Sequence, residues 1–409
     1  MTTLRARRGV LGDRRFATYW AGQTASSAGN ALSTLALVFA VLSVSSSAAS
    51  LGLVLLASRL PVIALSLLGG VLGDRHSRRL LMLGADVARC GLQAVTAGVL
   101  ISGHATVWDL AALQACAGAA SAVFTPAANG LVAELAPAGR IREANSMLVM
   151  SKAVAAIAAL GLAGVIVAAA GPGVAFAADA ASFAVSTASL AAIRSPALAV
   201  PAPPGRRLVG DLRHGWAAVR ERQWLCTYAA HVALLNAIAV SPFFVLGPLV
   251  ADRHLGGAPA WAAIAIGYAV GGLLAAGLTL RWTPARPIAA AVASSLTLAP
   301  LLALLAGPAP LWVLVPAALA AGAQATIYNT FTSTAQQANI PSHLLSRTNS
   351  IVTLGGLIAA PAGMALAGLA ADTFGIAPVL YLAAAWVVAG GAAALAIPST
   401  RSRLALSLT

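Results

Sequence analysis

Apolar runs of about 20 residues recur along the chain from residue 16 to residue 398, and short breaks rich in Pro, Gly or Arg separate them. A run of that length, wound as a helix, crosses the ~30 Å hydrocarbon core of a bilayer. The breaks predict about twelve helices, near 16–43, 50–73, 79–102, 107–135, 145–170, 174–194, 224–251, 260–281, 287–307, 310–338, 348–371 and 376–398. The expected fold class is therefore an all-α polytopic membrane protein.

Alternate connectors differ in charge. One set carries Arg75, Arg78 and Arg79, then Arg140 and Arg142, then Arg206, Arg207, Arg213, Arg220 and Arg222, then Arg281 and Arg286, then Arg347, and finally Arg401 and Arg403; the other has only Arg253 among its basic residues. The positive-inside rule makes the first set and both termini cytoplasmic. Missing one helix would have mixed the two sets, so the charges also check the number of spans. The segment before the first span is basic and lacks a short apolar stretch ending in a small-residue cleavage site, so no cleavable signal peptide is expected. These features predict a multi-pass protein of the cell inner membrane, in contact with the lipid bilayer.

The longest connector, roughly 195–223, begins SPALAVPAPPG and then places Leu208, Leu212, Trp216 and Val219 at helical spacing with arginines around them. This pattern predicts a short interfacial amphipathic helix. It divides the chain into a six-helix bundle over 1–194, a cytoplasmic linker over 195–223 and a second six-helix bundle over 224–409. The halves repeat. A shift of 204 residues places Trp108 on Trp312, Gly118 on Gly322, Pro137 on Pro341, Asn145-Ser146 on Asn349-Ser350, Gly164 on Gly368 and Gly171 on Gly375. Two parallel six-helix repeats about a central cavity suit a rocking transporter.

Composition agrees. Of 409 residues 59% are hydrophobic and 9% charged, whereas soluble domains carry roughly a quarter charged residues. A formal net charge of +14 does not point to nucleic acid, because the arginines are spread over connectors rather than gathered on one face. Cys90, Cys116 and Cys226 have no metal-ligand or redox spacing and read as packing residues. Trp108, Trp261 and Trp312 fall near helix ends, where indole rings favour the interface.

Several segments resemble, in order along the chain, the major facilitator superfamily, specifically the twelve-helix drug and siderophore exporters related to the enterobactin exporter. They are DRRFATYWAGQTASSAGNALS (13–33), GGVLGDRHSRR (69–79), ADVARC (85–90), DLRHGWAAVRERQW (211–224), LGPLVADRHLGG (246–257) and NSIVTLGGLIAAPAGMALAGLAADTFG (349–375). The resemblance implies a conformational gate formed by Gly70, Gly73, Asp74, Arg75, Arg78 and Arg79, with Asp74 docking on the eleventh helix near Asn349. Physically, glycines allow close helix approach and a carboxylate suits the positive end of a helix. The arginines could equally serve topology alone. In the second half GLTLRWTPAR (277–286) keeps Arg281 but no acid.

Ionisable groups inside spans are costly, by ~2.5–3.5 kcal/mol on insertion scales, and are functional candidates by default. Here they are Arg59, Asp86, Arg89, Lys152, Asp179 and His231, with Asp109 near an outer helix end. Asp86 and Arg89, three residues apart, can pair. Lys152 near a cytoplasmic end can snorkel, and Arg59 is a potential partner for Asp179. Proton coupling needs a carboxylate or imidazole whose protonation follows exposure, which makes Asp179 the first candidate, with His231 and Asp86 behind it.

The family resemblance implies that helices one, four, seven and ten line the cavity. Gln23, Asn30, Thr125, Asn129, Asn236, Gln324, Tyr328, Asn329 and Thr332 lie on them, with Phe124, Phe243, Phe244 and Phe331 as apolar contacts. Two departures concern coupling. Related exporters often carry an Asp where Asn30 stands, and the fifth-helix Gly-Pro bend is missing from ALGLAG (159–164), while Pro361 is kept in the eleventh helix.

The expected function is export of amphipathic or hydrophobic small molecules, of drug, antibiotic or siderophore type, by proton antiport. No Gly-rich phosphate loop suggests an ATPase, and the scattered histidines have no metal spacing. No cofactor, metal or enzymatic activity is expected. The partners are the small molecule and the proton, and the expected state is a monomer. The alternatives are a nutrient importer or uniporter of the same fold, a non-transporting membrane scaffold, and a lipid-modifying enzyme. Topology is directly checkable: a tag at Thr409 should be shielded from impermeant reagents in intact cells, and labelling from outside would overturn this orientation.

Overall fold

The computed structural model describes residues 9–75, 77–137, 139–193, 216–217 and 219–401. Among them twelve helices are long and apolar enough to cross a membrane, and no strand is formed. They are α1 (Arg14–Val44), α2 (Ala48–Arg75), α3 (Arg78–Ile101), α4 (Val107–Leu135), α5 (Ile141–Ala170), α6 (Pro172–Ala192), α7 (Gln223–Leu255), α8 (Ala258–Thr279), α9 (Pro287–Ala306), α10 (Leu311–Asn339), α11 (Ser342–Phe374) and α12 (Ile376–Ala396). The expected all-α polytopic architecture is the one observed.

Helix ends differ where a helix continues past the apolar run. α5 starts at Ile141 rather than 145, and its first turns expose Arg142, Glu143, Asn145 and Ser146. A hydropathy run marks only the part of a helix that lipid covers, so polar extensions are invisible to it. The same applies to α11, which begins at Ser342, and to α7, which runs to Leu255 through the turn Ala251–Leu255 carrying exposed Asp252, Arg253 and His254. Most of the amphipathic connector, including Leu208 and Leu212, lies outside the described residues. Of its apolar positions, Val219 is buried beside Trp224 and Leu225, and Trp216 is exposed.

The chain divides into two compact units, Met1–Ser46 with Val54–Pro203, and Ser47–Leu53 with Pro204–Thr409. In the first, α1 packs on α5 and α6, and α3 packs on α4 and α6. α1 turns a stripe of small residues, Gly22, Ser26, Gly29 and Ser33, toward the interior. A Cβ at Gly29 would lie 2.5 Å from Asp179 Oδ1 and 2.7 Å from Ser182 Cβ, so only glycine lets α6 come this close. In the second unit α7 packs on α11, α8 and α9 on α10, and α9 on α12. Here Asp372 of α11 accepts hydrogen bonds from Ala48 N at 2.8 Å and Ala49 N at 3.0 Å.

The repeat has a physical basis at matching positions. Gly118 of α4 faces the Ser58 carbonyl of α2, and Gly322 of α10 faces the Tyr268 carbonyl of α8, each at a separation that no Cβ could share. Gly171 and Gly375 take φ of +82° and +89°, a left-handed conformation that favours glycine, and end α5 and α11 respectively. Trp108 and Trp312 are both exposed at the second position of their helices. Trp261 departs from the interfacial expectation: it is 4% exposed, with its ring 5.2 Å from that of Phe243, because Phe243, Phe244 and Tyr268 build an aromatic cluster that takes it in.

Replacing Gly322 by Ala should destabilise the protein by about 1–3 kcal/mol, the usual cost of overpacking. Gly84→Ala, at an exposed position with nothing within 4 Å, should not. Thermal unfolding of the purified variants in detergent compares them.

Candidate functional site

The sequence spacing on α3 places Asp86, Arg89, Gln93 and Thr96 on one helical face, and all four are buried. α6 answers with Asp179, Ser182, Ser186 and Ser189, again at three- and four-residue spacing. Because lipid supplies no hydrogen bonds, these groups must satisfy one another.

They do so in two chains. Asp86 forms an ion pair with Arg89 through Oδ1 and accepts from Ser186 Oγ at 2.6 Å through Oδ2. Ser186 Oγ accepts from Gln23 Nε2 of α1 at 3.3 Å, and Gln23 Oε1 accepts from Lys152 Nζ of α5 at 3.4 Å. In the second chain Gln114 Nε2 of α4 donates to Gln93 Oε1 at 3.1 Å, and Gln93 Nε2 donates to Asp179 Oδ2 at 3.1 Å. Ser182 Oγ lies 3.3 Å from Asp179 Oδ1. The Arg89 guanidinium joins the two chains, sitting 4.1 Å from the Phe124 ring centroid and 4.4 Å from that of Phe183. Such cation–π contacts contribute about 2 kcal/mol when desolvated. Asp86 and Asp179 are each 0% exposed, so water reaches neither carboxylate.

This geometry corrects two expectations. The cation interacting with Asp179 is Arg89, not Arg59, whose side chain is exposed. Lys152 does not snorkel: because α5 begins at Ile141, Lys152 lies three turns inside the helix and reaches inward to Gln23. The sequence reading also passed over Gln93, Gln114 and the α6 serines. Their signal was the polar stripe continuing from Asp86 and Asp179 at helical period.

The remaining candidates are placed as follows. Gly70, Gly73, Asp74 and Arg75 lie on α2, but their side chains are outside the described part of the structure. Arg78 Nη1 pairs with Glu134 Oε1 of α4 at 2.8 Å, passing over Gly130. Arg79 donates to the Leu190 and Ala191 carbonyls at 2.6 and 2.8 Å, capping the end of α6 where carbonyls lack helical partners. Asn30, Thr125, Asn129 and Asn329 are exposed, and Asn236 is half-buried on the π turn Asn236–Val240. Gln23, Gln324, Tyr328 and Thr332 are 2%, 4%, 2% and 0% exposed. Gln23 therefore serves the network rather than an open face. His231 is buried, with Nε2 3.3 Å from Ser295 Oγ and its ring stacked on Tyr328 and Trp386 at 5.9 and 6.1 Å. Asp109 completes a capping box with Thr106 at the start of α4.

Twelve spanning helices with a repeated packing scheme, and ionisable groups gathered inside one repeat, fit a membrane transporter of the major facilitator fold. The transmembrane secretion effector family model matches residues 9–405, and the chain belongs to that family. It is 24% identical to macrolide efflux protein A of Streptococcus pyogenes over 88% of this chain and 90% of the relative. It is 34% identical to the MFS-type transporter YfiS of Bacillus subtilis (strain 168) over a shorter stretch, 32% of this chain and 30% of that one. In three dimensions it is similar to the nucleoside transporter NupG, with a TM-score of 0.75 at 14% identity, covering 93% of this chain and 98% of that structure.

Breaking the ion pair from one side should be far worse than removing it. Arg89→Ala, which leaves the buried Asp86 and Asp179 carboxylates without their cation, should cost about 3–5 kcal/mol, whereas the combined replacement Asp86→Leu, Arg89→Met and Asp179→Asn should recover most of it. Thermal unfolding of the two variants beside wild type measures the difference.

Proposed function

We infer that the protein exports amphipathic or hydrophobic small molecules, of drug, antibiotic or siderophore type, in exchange for protons by alternating access. The observation that carries export is the likeness to macrolide efflux protein A over nearly the full length of both chains. The enterobactin-exporter-like subgroup rests on the six sequence segments that resemble it.

Asp179 is the proposed coupling group. As a carboxylate it ends the chain Gln114→Gln93→Asp179 as an acceptor. A carboxyl protonated on Oδ2, the oxygen that faces Gln93, becomes a donor there, and Gln93 then turns its amide and Gln114 follows. One proton then reorders contacts among α3, α4 and α6, and a bistable element of this kind is what coupling requires. Asp86, held by Arg89 and Ser186, is the countercharge of the cluster. His231, stacked between two rings, is a second candidate.

The gate is assigned to the end of α2 and the start of α3, to Gly70, Gly73, Asp74, Arg75, Arg78 and Arg79, of which Arg78 pairs with Glu134 and Arg79 caps α6. The exposed Asn30, Thr125, Asn129 and Asn329, with Asn236, are assigned to cargo contact. The protein acts as a monomer in the inner membrane with both termini cytoplasmic.

Flux in proteoliposomes under an imposed pH gradient tests this reading, with a panel of macrolides, siderophore-like chelators and amphipathic dyes. Wild type should accumulate at least one of them in response to the gradient. Asp179→Asn should bind that compound yet lose the response. Gradient-insensitive wild-type flux would exclude antiport, and an Asp179→Asn variant still driven by the gradient would remove that residue from coupling.

A further inference from the structure

The end of the second unit assigned above to the cytoplasm carries an open cleft that the transport reading leaves unused. It lies between the start of α9 and the end of α12 and holds about 530 Å³, within the ~300–1,000 Å³ of small-molecule sites. Arg286 lines it together with Ala289, Ala290 and Ala293, which share one face of α9, and with Leu395 of α12. Arg286 is the N-cap of α9 and Ala293 lies seven residues further on. At 1.5 Å per residue the cleft therefore runs about 10 Å along the helix, from its charged mouth into the apolar span.

Two arginines meet at this cleft. Arg286 is exposed, and Arg401 donates through Nε to the carbonyl of Leu395, a residue of the cleft wall, at 2.5 Å. That bond leaves both Nη groups of Arg401 as donors. The turn Pro398–Arg401 packs on the starts of α7 and α9 and buries Thr400 completely, which fixes where the guanidinium is presented. On the other side Trp282, still exposed, meets the Phe331 ring edge-on at 5.1 Å and holds the α8–α9 connector against α10. Neither Arg286 nor Arg401 has a carboxylate partner among the described residues. Of the acids described in this unit, Glu221 lies 3.8 Å from Arg222, while Asp252 and Asp372 sit at the far ends of α7 and α11. Topology requires a count of cytoplasmic charges; it does not require guanidinium groups from two chain segments to meet at one apolar groove.

We propose that this cleft binds an anionic phospholipid of the inner leaflet, its phosphate on Arg286 and Arg401 and an acyl chain along the alanine face of α9. Guanidinium groups take phosphate oxygens through paired N–H donors, and the positive end of α9 adds to the same field. A zwitterionic lipid brings its own ammonium toward these two cations and gains less. The bound lipid bridges α9 and α12. This proposal rests on the placement of the helices in a bilayer and not on export, cargo or proton coupling.

The test titrates the purified full-length protein in detergent with dioleoylphosphatidylglycerol and with dioleoylphosphatidylcholine, read by native mass spectrometry. Phosphatidylglycerol should bind about tenfold more tightly, ~1.4 kcal/mol. Arg286→Gln combined with Arg401→Gln should reduce that preference several-fold, while Arg286→Lys combined with Arg401→Lys should keep most of it. Arg142→Gln, at an exposed position of the first unit, should leave it unchanged. Ala293→Trp, which fills the cleft without altering its charge, should weaken phosphatidylglycerol binding. On unmutated protein, phosphatidylglycerol carrying a diazirine in one acyl chain should label the peptides that hold Ala289–Ala293 or Leu395, and inorganic phosphate in large excess should not displace it. Equal affinity for the two lipids, a preference that survives the double Gln replacement or falls as far in Arg142→Gln, labelling that avoids both peptides, or displacement by inorganic phosphate overturns the proposal.

Discussion

A bilayer interior offers no water to a carboxylate, and the first unit is organised by that constraint. Asp86 and Asp179 have no exposure at all, so every lone pair they present must be met by protein. Arg89 supplies the charge, Ser186, Ser182 and Gln93 supply donors, and Gln23 and Gln114 carry the chains on to α1 and α4. Five helices, α1, α3, α4, α5 and α6, are thereby tied through buried polar side chains. A network of this kind fixes one helix arrangement while it is satisfied, and it demands another when a proton changes a donor into an acceptor or the reverse.

The small residues on α1 make the network feasible. Gly29 and Gly22 sit where any side chain would collide with α6, so the backbones approach and Asp179 is sealed by helix rather than by bulk. Equivalent close approaches at Gly118 and Gly322 show that the two repeats share one packing scheme. The repeats share little chemistry beyond it. The second unit fills its interior with Phe243, Phe244, Trp261 and Tyr268, and His231 is buried there in a stack with Tyr328. The symmetry is in the backbone, and among the described residues the buried carboxylates and the buried guanidinium lie in the first unit.

Much of this was legible in the residues. Run lengths gave the spans because lipid sets a minimum apolar length, and the 204-residue offset reported glycine contacts that geometry makes indispensable. Pairing of Asp86 with Arg89 followed from their spacing on one helix. What lay across helices did not follow. Arg59 and Lys152 differ only in rotational phase and in the length of polar helix preceding them, neither of which a hydropathy run records. That is why the sequence left Lys152 free to snorkel and Arg59 as a potential partner for Asp179. Gln93 and Gln114 were passed over because neutral amides carry no insertion penalty large enough to stand out, although each falls on the face a buried acid had already marked. Trp261 was misplaced because position near a helix end says nothing about aromatic neighbours on another helix.

The central claim is that Asp179 is the protonation-dependent end of a sealed polar chain. Attenuated total reflection infrared difference spectroscopy on the reconstituted protein, stepping the pH across the range in which transport runs, addresses it most directly. The account predicts the carbonyl stretch of a protonated carboxyl that grows as pH falls, is missing in Asp179→Asn, and is accompanied by a shift of glutamine amide bands lost in Gln93→Leu. A carboxyl signal unchanged in Asp179→Asn, or no titrating carboxyl at all, would contradict it.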